Sequence, residues 1–429
     1  MRIILFCLAA AMVSAQSKPI VIKAARMYDG VGDRVVSPGL VVVLGEKIRG
    51  VGAKAEIPAG SEIIDLGDAT LLPGFMDAHT HLTMPFDSDY RKQQLDGLQK
   101  TVAEQALDAS VNARVTLMAG VTTVRDVGSS DFLDVGLRNA IASGAVPGPR
   151  MLVATNAIGA TGGHCDNAAG FKFGLFGRES GIQDGVANGP DQMRLIVRFN
   201  IKYGADVIKT CATGGVLSLT DDVDTPQLTQ AELDALVDEA HALRRKTAAH
   251  AHGAAGAKRA IRAGIDSIEH GSFLDDEALD MMKARGTYYV PTMMAAQGLR
   301  EVLEKGYLPP QVALKARAAM ASLDSVVAKA IAKQIKIALG TDAAVYPHGR
   351  NTEEFAQMVR VGMKPIDALK AGTSVDAQLL GLFEKTGSLE AGKWADIVAV
   401  PGNPVDDIHA TEKVMFVMKE GTVFKNAKK

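Results

Sequence analysis

The stretch Phe75-Met-Asp-Ala-His-Thr-His-Leu82 ends an apolar run and places His79 and His81 two residues apart. Alternate side chains of a β-strand point to the same face, so both imidazoles lie together and can bind one ion. Two histidines with this spacing also occur by chance, and the pair alone is weak evidence. It predicts a metal site only if other ligand-type residues end later apolar runs in the same way.

The composition is that of an ordinary globular protein. The 429 residues are 47% hydrophobic and carry a net charge of −2, which suits one large domain and a smaller one. The chain has no long tract of Lys and Arg, and only 5% of its residues are aromatic. Neither nucleic acid nor an anionic membrane is therefore expected as a partner.

The first residues predict export. A basic start at Arg2 is followed by an apolar run at residues 3–13 and by the small residues Ser14 and Ala15. This is the pattern of a secretory signal, with cleavage after about residue 15. The alternative is a buried first strand, which the alanine-rich run disfavours. The protein is thus expected to be periplasmic or secreted.

Cysteine is rare in this chain. Cys7 would leave with the signal, so that Cys165 and Cys211 remain. Two cysteines do not make a disulfide framework, and the core must supply most of the stability. The sequence does not reveal whether these two cysteines pair.

Both ends of the chain are rich in short β-branched runs. Gly, Asp and Pro separate these runs, as is typical of strands joined by turns. The predicted strands are 19–25, 39–44, 47–51 and 62–66 near the start, and 395–400, 414–418 and 423–424 near the end. We expect the two ends to fold together as one accessory domain.

The middle of the chain alternates between apolar runs and helix-like segments. The runs are 71–81, 121–126, 150–155, 205–209, 246–250, 266–270, 288–292 and 336–342. Thr229 and Glu232 form a capping box before the apolar stripe Leu233, Leu236, Val237, Ala240 and Leu243, which predicts an amphipathic helix. Further helices are expected at 275–285, 311–333 and 353–361. Eight strands alternating with helices predict an α/β fold, a parallel (β/α)8 TIM barrel whose chemistry lies at the carboxyl ends of the strands.

Ligand-type residues end four of the later runs. Lys209 ends the fourth, where a buried cation is costly unless it is paired or neutralised. A lysine that reaches solvent is one interpretation, and a lysine carbamylated by CO2 is the other. His250 and His252 end the fifth run and His270 ends the sixth; each alone is more often structural, but together with His79 and His81 they favour a metal site. Asp342 ends the eighth, where it either caps a helix or binds an ion and accepts a proton.

The motifs that carry these residues resemble the amidohydrolase superfamily of metal-dependent hydrolases. The resemblance covers essentially the whole chain. It rests on Leu72-Pro-Gly-Phe-Met-Asp-Ala-His-Thr-His81, Ile208-Lys209, His250-Ala-His252, Ile268-Glu-His270-Gly271, Gly340-Thr-Asp342 and Gly387-Ser-Leu-Glu-Ala-Gly-Lys-Trp-Ala-Asp-Ile-Val398. The resemblance implies a β-sandwich built from both chain ends. It places the signal at 1–15, the sandwich at 16–72 and 382–429, and the barrel at 73–381.

The resemblance also implies two Zn2+ ions per chain. His79, His81 and Asp342 would hold the first ion, and His250 and His270 the second. Carbamylated Lys209 would bridge them, and His252 would contact the substrate or support a ligand. Zinc accepts His nitrogen and carboxylate oxygen, and catalytic sites leave a position open for water. Asp342 would take a proton from that water and deliver it to the leaving amine.

A finer similarity is to the Xaa-Pro dipeptidase-like and imidazolonepropionase-like members. Segments 159–166 and 209–218 are similar to exported prolidases that remove a C-terminal residue from dipeptides and N-acyl amino acids. The similarity implies a small-molecule amide or dipeptide substrate, and a homo-oligomer, often an octamer. His164 would then bind the scissile carbonyl or the substrate carboxylate; otherwise it is a solvent-exposed loop histidine.

Three other functions remain open. A deaminase on the same barrel usually carries a glutamate three residues after the fifth-strand histidine, where this chain has Gly253. A mononuclear, imidazolonepropionase-like cyclic amidase fits the barrel but gives Lys209 no role. A metal-free structural relative would have lost ligands, and none is missing here.

Substrate contacts are the least defined part of the sequence. Arg125, Lys172 and Arg350 are positioned at strand ends or in the loops after them, where a cation can bind a substrate carboxylate. The apolar residues Leu217, Met293 and Val345 are candidates for lining a pocket, although apolar residues at such positions are more often core.

Overall fold

The computed structural model describes residues 18–427. The predicted signal at residues 1–15 lies outside the described residues. Between residues 18 and 427 no helix is both long and apolar enough to cross a membrane.

The strands fall into an N-terminal group, a central group and a C-terminal group. They are β1 Ile20–Ala24, β2 Arg26–Met27, β3 Gly39–Leu44, β4 Lys47–Val51, β5 Glu62–Asp65, β6 Ala69–Pro73, β7 Phe75–Thr80, β8 Val121–Asp126, β9 Arg150–Val153, β10 Val207–Cys211, β11 Lys246–Gly253, β12 Ser267–Phe273, β13 Tyr288–Val290, β14 Ile397–Pro401, β15 Phe416–Lys419 and β16 Thr422–Asn426.

The helices lie between the central strands and after them. They are α1 Tyr90–Gln99, α2 Val102–Met118, α3 Leu133–Ala142, α4 Pro190–Lys202, α5 Gln230–Ala242, α6 Ala254–Ala263, α7 Asp276–Arg285, α8 Met293–Lys305, α9 Pro310–Ala332, α10 Glu353–Arg360, α11 Pro365–Lys370 and α12 Asp376–Leu379. Short 3-10 helices span Ile182–Asp184 and Ile408–Lys413, and a π-helical turn spans Ala371–Val375.

Two sheets built from the chain ends form the accessory part. One sheet has the order β4-β3-β1-β5, and the other has the order β16-β15-β14-β6-β2 and combines strands from both ends. Side chains of both sheets share one buried cluster that includes Ile22, Val41, Leu71 and Phe416. Strands from both ends of the chain therefore pack around one core.

Parallel strands form the central part. The sheets β7-β8-β9 and β10-β11-β12-β13 are parallel throughout. Single parallel bridges extend this pattern: Ile158 with Thr210, Tyr289 with Ile337, and Thr80 with Ala343. Since parallel neighbours end on the same side, the carboxyl ends of these strands form a common edge.

The first and last central strands differ from the prediction. The run 71–81 is two strands, β6 in the accessory sheet and β7 in the central one, separated by Gly74. A Cβ at Gly74 would lie 2.2 Å from Thr122 Oγ1, so only glycine allows this close crossing. The run 336–342 keeps only the bridge at Ile337, and Asp342 at its end has a φ of 60°, which strand geometry does not permit.

The helix predicted from the capping box is confirmed. Thr229 Oγ1 accepts from the Glu232 backbone N–H, and the Glu232 carboxylate accepts from the Thr229 N–H at 2.8 Å. The stripe is buried from Leu233 to Ala240, whereas Leu243 follows the helix and is 39% exposed. The other three predicted helices are observed with ends shifted by one residue.

Candidate active site

His79 in β7 and His81, one residue after the strand, are held by their Nδ1 atoms. His79 Nδ1 donates to Glu269 Oε2 at 2.8 Å, and His81 Nδ1 donates to the carbonyl oxygen of Gly128 at 3.0 Å. Their Nε2 atoms therefore carry the free lone pairs, and they lie 3.6 and 3.4 Å from Asp342 Oδ1. Burial lowers the pKa of His79 well below its usual value and that of His81 to about 4. Both rings are therefore neutral, and each can offer its Nε2 lone pair to a metal ion.

His270 completes a group suited to a metal ion. One ligand atom each of His79, His270 and Asp342 lies within 4.8 Å of the other two. His270 Nδ1 donates to Thr292 Oγ1 at 2.7 Å, which leaves its Nε2 free. His270 and Asp342 have φ values of 67° and 60°. Non-glycine residues in this region mark backbone held in place by its surroundings, as is common at functional sites.

Lys209 on β10 is a buried amine without a partner. Its exposure is 3%, and within residues 18–427 no hydrogen bond or ion pair is formed by its Nζ. Burial lowers its pKa to about 8, although the Glu269 and Asp342 carboxylates favour the charged form. An ammonium group in this environment is costly unless something neutralises it.

The histidine pair of β11 is turned toward the same centre. The ring of His250 lies 4.6 Å from that of His270, and the ring of His252 lies 5.0 Å from it. His250 Nε2 donates to the Gly214 carbonyl at 3.0 Å, and His252 Nδ1 is 2.9 Å from Ser272 Oγ. Each imidazole therefore keeps one free nitrogen.

His164 lies beside the metal-ligand candidates rather than in solvent. Its ring is 4.2 Å from that of His250, and burial lowers its pKa to about 4. Its Nδ1 donates to Ser218 Oγ at 3.1 Å, and Ser218 Oγ donates to Asp221 Oδ1 at 2.5 Å. The second nitrogen of His164 is left for a ligand. The alternative prediction of an exposed loop histidine is therefore wrong.

Lys315 on α9 holds the loop after β10, which carries Ser218 and Asp221. Its Nζ donates to the carbonyls of Gly215 and Ser218 at 2.7 Å and to that of Asp221 at 3.0 Å. A Cβ at Gly215 would lie 2.1 Å from the His164 ring, so any side chain there would displace it. The loop after β10 is thus built around His164.

Arg125 does not face the substrate. It is 1% exposed, and it donates to Glu269 Oε1 at 2.8 Å, to Ser267 Oγ at 3.0 Å and to the Ala78 carbonyl at 2.5 Å. The prediction that it binds a substrate carboxylate is wrong. Its guanidinium neutralises Glu269, whose other oxygen orients His79.

A cavity of about 860 Å3 opens above the strand ends. All the predicted metal ligands line it, namely His79, His81, Lys209, His250, His270 and Asp342. His164, His252, Leu217 and Val345 also line it. Leu217 and Val345 pack against a buried apolar cluster that forms one wall. Both predicted pocket residues therefore line the cavity.

Three other predicted contacts lie elsewhere. Arg350 is held by Glu301 and Glu353 at 2.7–3.1 Å and does not line the cavity, which corrects its assignment as a substrate contact. Lys172 is an exposed loop residue outside the lining. Met293 is 2% exposed and belongs to the main core.

Gly253 argues against a deaminase. A Cβ at this position would lie 2.0 Å from the backbone oxygen of Asp224. The glutamate that a deaminase needs there cannot fit without moving the backbone of the neighbouring loop. The close approach gives a structural reason for the glycine.

Cys165 and Cys211 form a disulfide, with Cα atoms 5.9 Å apart. Cys165 follows His164, and Cys211 ends β10 two residues after Lys209. The bond therefore ties the loop of His164 to the strand of Lys209, and it answers a question that the sequence left open.

Several supporting residues were not predicted from the sequence. Glu269, Thr292, Ser218 and Asp221 act by orienting imidazoles, and Lys315 reaches the site from a helix about 100 residues further along the chain. Only Glu269 had a sequence signal, since it precedes His270 in a predicted strand.

Comparison with known proteins identifies a family and several relatives that are similar along most of the chain. Residues 70–425 match the model of the amidohydrolase family. Ochratoxinase of Aspergillus niger is 32% identical, over 96% of this chain and 87% of the relative; its crystal structure has a TM-score of 0.84 at 30% identity and 96% coverage of both chains. A Xaa-Pro dipeptidase with methionine bound in its active site has a TM-score of 0.89 at 40% identity, and covers 95% of this chain and 100% of its own. The family match over most of the chain, with relatives similar along nearly their whole length, shows that the protein belongs to the amidohydrolase family.

Proposed function

We propose that this protein is a zinc-dependent amidohydrolase that cleaves the amide bond of N-acyl amino acids or dipeptides and releases the C-terminal amino acid. The broader activity, hydrolysis of amide or peptide bonds, follows from the family. The observation that carries the finer proposal is the buried, unpartnered amine of Lys209 among six imidazoles and Asp342.

The side chains fit a pair of metal ions. Neutral imidazoles and a carboxylate are the donors that Zn2+ prefers. The neutral amine of Lys209 can add CO2 with loss of one proton, which would replace an unpartnered amine with a carboxylate able to bridge two cations. His79, His81 and Asp342 would hold one ion, and His250 and His270 the other. Bound zinc would polarise a carbonyl group and lower the pKa of water to about 7.

The chain's own groups supply the proton transfers. Asp342 accepts the proton of the attacking water and returns it to the departing amine, as a carboxylate positioned beside both groups can do. His79, on the same centre, is kept in one tautomer by Glu269.

His164 and His252 supply contacts to the substrate. An anionic oxygen beside His164 favours the protonated ring, which then donates to that oxygen while Asp221 balances the charge through Ser218. Preorganised donors of this kind stabilise charge that develops on a carbonyl oxygen. The ring of His252 lies 4.8 Å from that of His250 and has one free nitrogen for a substrate contact.

The relatives support this choice of substrate. They include an ochratoxinase, a Xaa-Pro dipeptidase, and a prolidase solved with N-methylphosphonate-L-proline, which has a TM-score of 0.86 at 27% identity. The chain as a whole also resembles bacterial ochratoxin A amidohydrolase. Ochratoxin A, an amide of phenylalanine and an isocoumarin acid, is therefore included as a substrate.

A substrate panel tests the proposal. Wild-type protein and Lys209→Ala are assayed with N-acyl phenylalanine, Xaa-Pro dipeptides and ochratoxin A, alongside zinc content. We expect wild-type activity on at least one of the three, and joint loss of zinc and activity in the variant. Unchanged zinc in Lys209→Ala would remove the bridging role. Ammonia release from purines or pyrimidines, with inactivity on all three amides, would replace the proposal with a deaminase.

Three further proposals concern the molecule as a whole. The single bridges between the central sheets support closure into a (β/α)8 barrel. The disulfide supports export, since such bonds persist in oxidising compartments. We propose a homo-oligomer, an octamer by analogy with the family, and size-exclusion chromatography with light scattering tests it.

A further inference from the structure

The cavity mouth carries a loop rich in phenylalanine. We call residues 166–180 the aromatic loop. Its ends are closed by Ser180 Oγ, which donates to Asp166 Oδ1 at 2.8 Å, and Arg178 anchors it by donating to Asp184 at 2.5 and 2.7 Å. A surface loop of this length with its ends joined is an Ω-loop, a form that frequently has a function of its own.

Two phenylalanines of the aromatic loop face the cavity, and one does not. Phe171 and Phe176 are in the cavity lining, with ring centroids 5.5 Å apart and planes at 80°. Phe173 lies outside the lining and is 88% exposed. Phe176 remains 45% exposed although it borders the cavity, so an apolar ligand would cover surface that water now contacts.

Other apolar residues continue this surface across the mouth. A Cβ at Gly170 would lie 3.2 Å from Leu219 Cβ, so the aromatic loop packs closely on the loop after β10. Leu219 lines the cavity there, and Met84 and Leu98 line it while 40% and 50% exposed. Their exposure places these side chains at the mouth, away from the buried imidazoles.

One apolar wall of the cavity is enclosed. Val216 and Leu299 line the cavity, are 6% and 8% exposed, and belong to the buried cluster that also contacts Val345. The cavity volume of about 860 Å3 lies in the upper part of the roughly 300–1,000 Å3 typical of sites for drug-sized molecules. The cavity therefore has an enclosed apolar wall, a polar centre and an open apolar mouth.

The proposed reaction indicates which part of the substrate lies at the enclosed wall of the cavity and which part lies at its mouth. An enzyme that releases the C-terminal residue can enclose that residue, because the substrate ends there. The acyl group varies in size and must extend toward the opening. We propose that Phe171 and Phe176, with Leu219, form a subsite for a bulky aromatic acyl group. This inference rests on the proposed function and deepens it by naming the preferred substrate class.

Two substrates that differ only in the acyl group test the inference. Values of kcat/KM for N-naphthoyl-phenylalanine and N-acetyl-phenylalanine are measured for the wild type, Phe171→Ala and Phe176→Ala. We expect each variant to lose roughly tenfold on the naphthoyl substrate, the effect of one aromatic contact, and about twofold or less on the acetyl substrate. Phe173→Ala is the matched control from the same loop and should change neither value.

The outcomes separate the inference from the proposed function. Equal losses on both substrates, or no loss in either variant, would overturn the acyl subsite while leaving the hydrolase intact. If the wild type cleaved neither substrate and none of the panel above, the proposed function would fail and the subsite with it. A changed molar mass by light scattering, with equal losses on both substrates, would assign the aromatic loop to a subunit contact instead.

Discussion

Replacing both Cys165 and Cys211 by serine removes the covalent link between the loop of His164 and the strand of Lys209. A disulfide stabilises the folded protein mainly by restricting the unfolded chain, and the effect grows with the length of the closed loop. The two cysteines are 46 residues apart, for which the chain-entropy relation gives about 4 kcal/mol at 25 °C. We expect the free energy of unfolding to fall by that amount.

The measurement is urea-induced unfolding followed by circular dichroism. The wild type with and without dithiothreitol provides the matched control. Reduced wild type should unfold like the double-serine variant, and the variant itself should not respond to the reductant. The disulfide also restrains His164, so kcat/KM should fall in the variant. The variant should still be folded in the assay, with its unfolding midpoint at a urea concentration well above that of the assay buffer.

A difference below about 1 kcal/mol would contradict the reasoning, because measured disulfide contributions are typically 2–4 kcal/mol. Full activity in the variant would show that Lys315 and the hydrogen bonds of the loop after β10 are sufficient to position His164. Sensitivity of the double-serine variant to dithiothreitol would mean that the reductant acts elsewhere.

Three further substitutions test separate parts of the account. Asp342→Asn should retain most of the metal and lower kcat by about 10²–10⁴-fold, the range for general acid–base catalysis; near wild-type turnover would remove Asp342 from that role. Asp221→Asn should lower kcat/KM roughly tenfold to a hundredfold, as loss of a charged hydrogen bond predicts, and should add little to His164→Ala; additive losses would show that Asp221 does not act through His164. Asp266→Asn should cost about 1.5–3 kcal/mol at neutral pH. Burial opposes ionisation of Asp266, but hydrogen bonds from His241 and Lys246 lower its pKa from the usual 3.8. Its stabilising contribution is therefore present above pH 3.8 and lost as the pH falls further, and an equal cost of the substitution at pH 2 and pH 7 would contradict this.

The convergence of the candidate metal ligands was predictable because each ends a run with a clear strand pattern. In a parallel sheet the carboxyl ends meet at one edge, so residues as distant in sequence as His79 and Asp342 are expected close together. The structure brings their nitrogen and oxygen atoms to 3.6 Å. The hydrophobic pattern of each strand and the position of the ligand residue at its end are thus sufficient to predict this proximity.

The residues that position His164 were not predictable in the same way. Ser218, Asp221 and Lys315 lie in an irregular loop and on an outer helix, where no periodic pattern fixes their distance from His164. Buried charge pairs such as Arg125 with Glu269 also escape sequence analysis, because the same arginine at a strand end could face the cavity. Only packing decides between these two orientations.

Strand boundaries were limited by backbone geometry. The run 71–81 is continuous in hydrophobicity, yet Gly74 divides it between two sheets because its missing side chain permits contact with Thr122. The eighth run loses its strand geometry at Asp342, whose left-handed conformation depends on its neighbours in the fold. The positive φ of an aspartate cannot be inferred from composition.

The central claim is that six side chains from β7 to the run after α9 converge on two zinc ions joined through Lys209. Diffraction at the zinc absorption edge, from crystals of freshly purified protein, tests it most directly. We expect two anomalous peaks per chain among His79, His81, His250, His270 and Asp342, with a carboxylated lysine between them. A bare amine at Lys209 and no anomalous peak beside the imidazoles would contradict it.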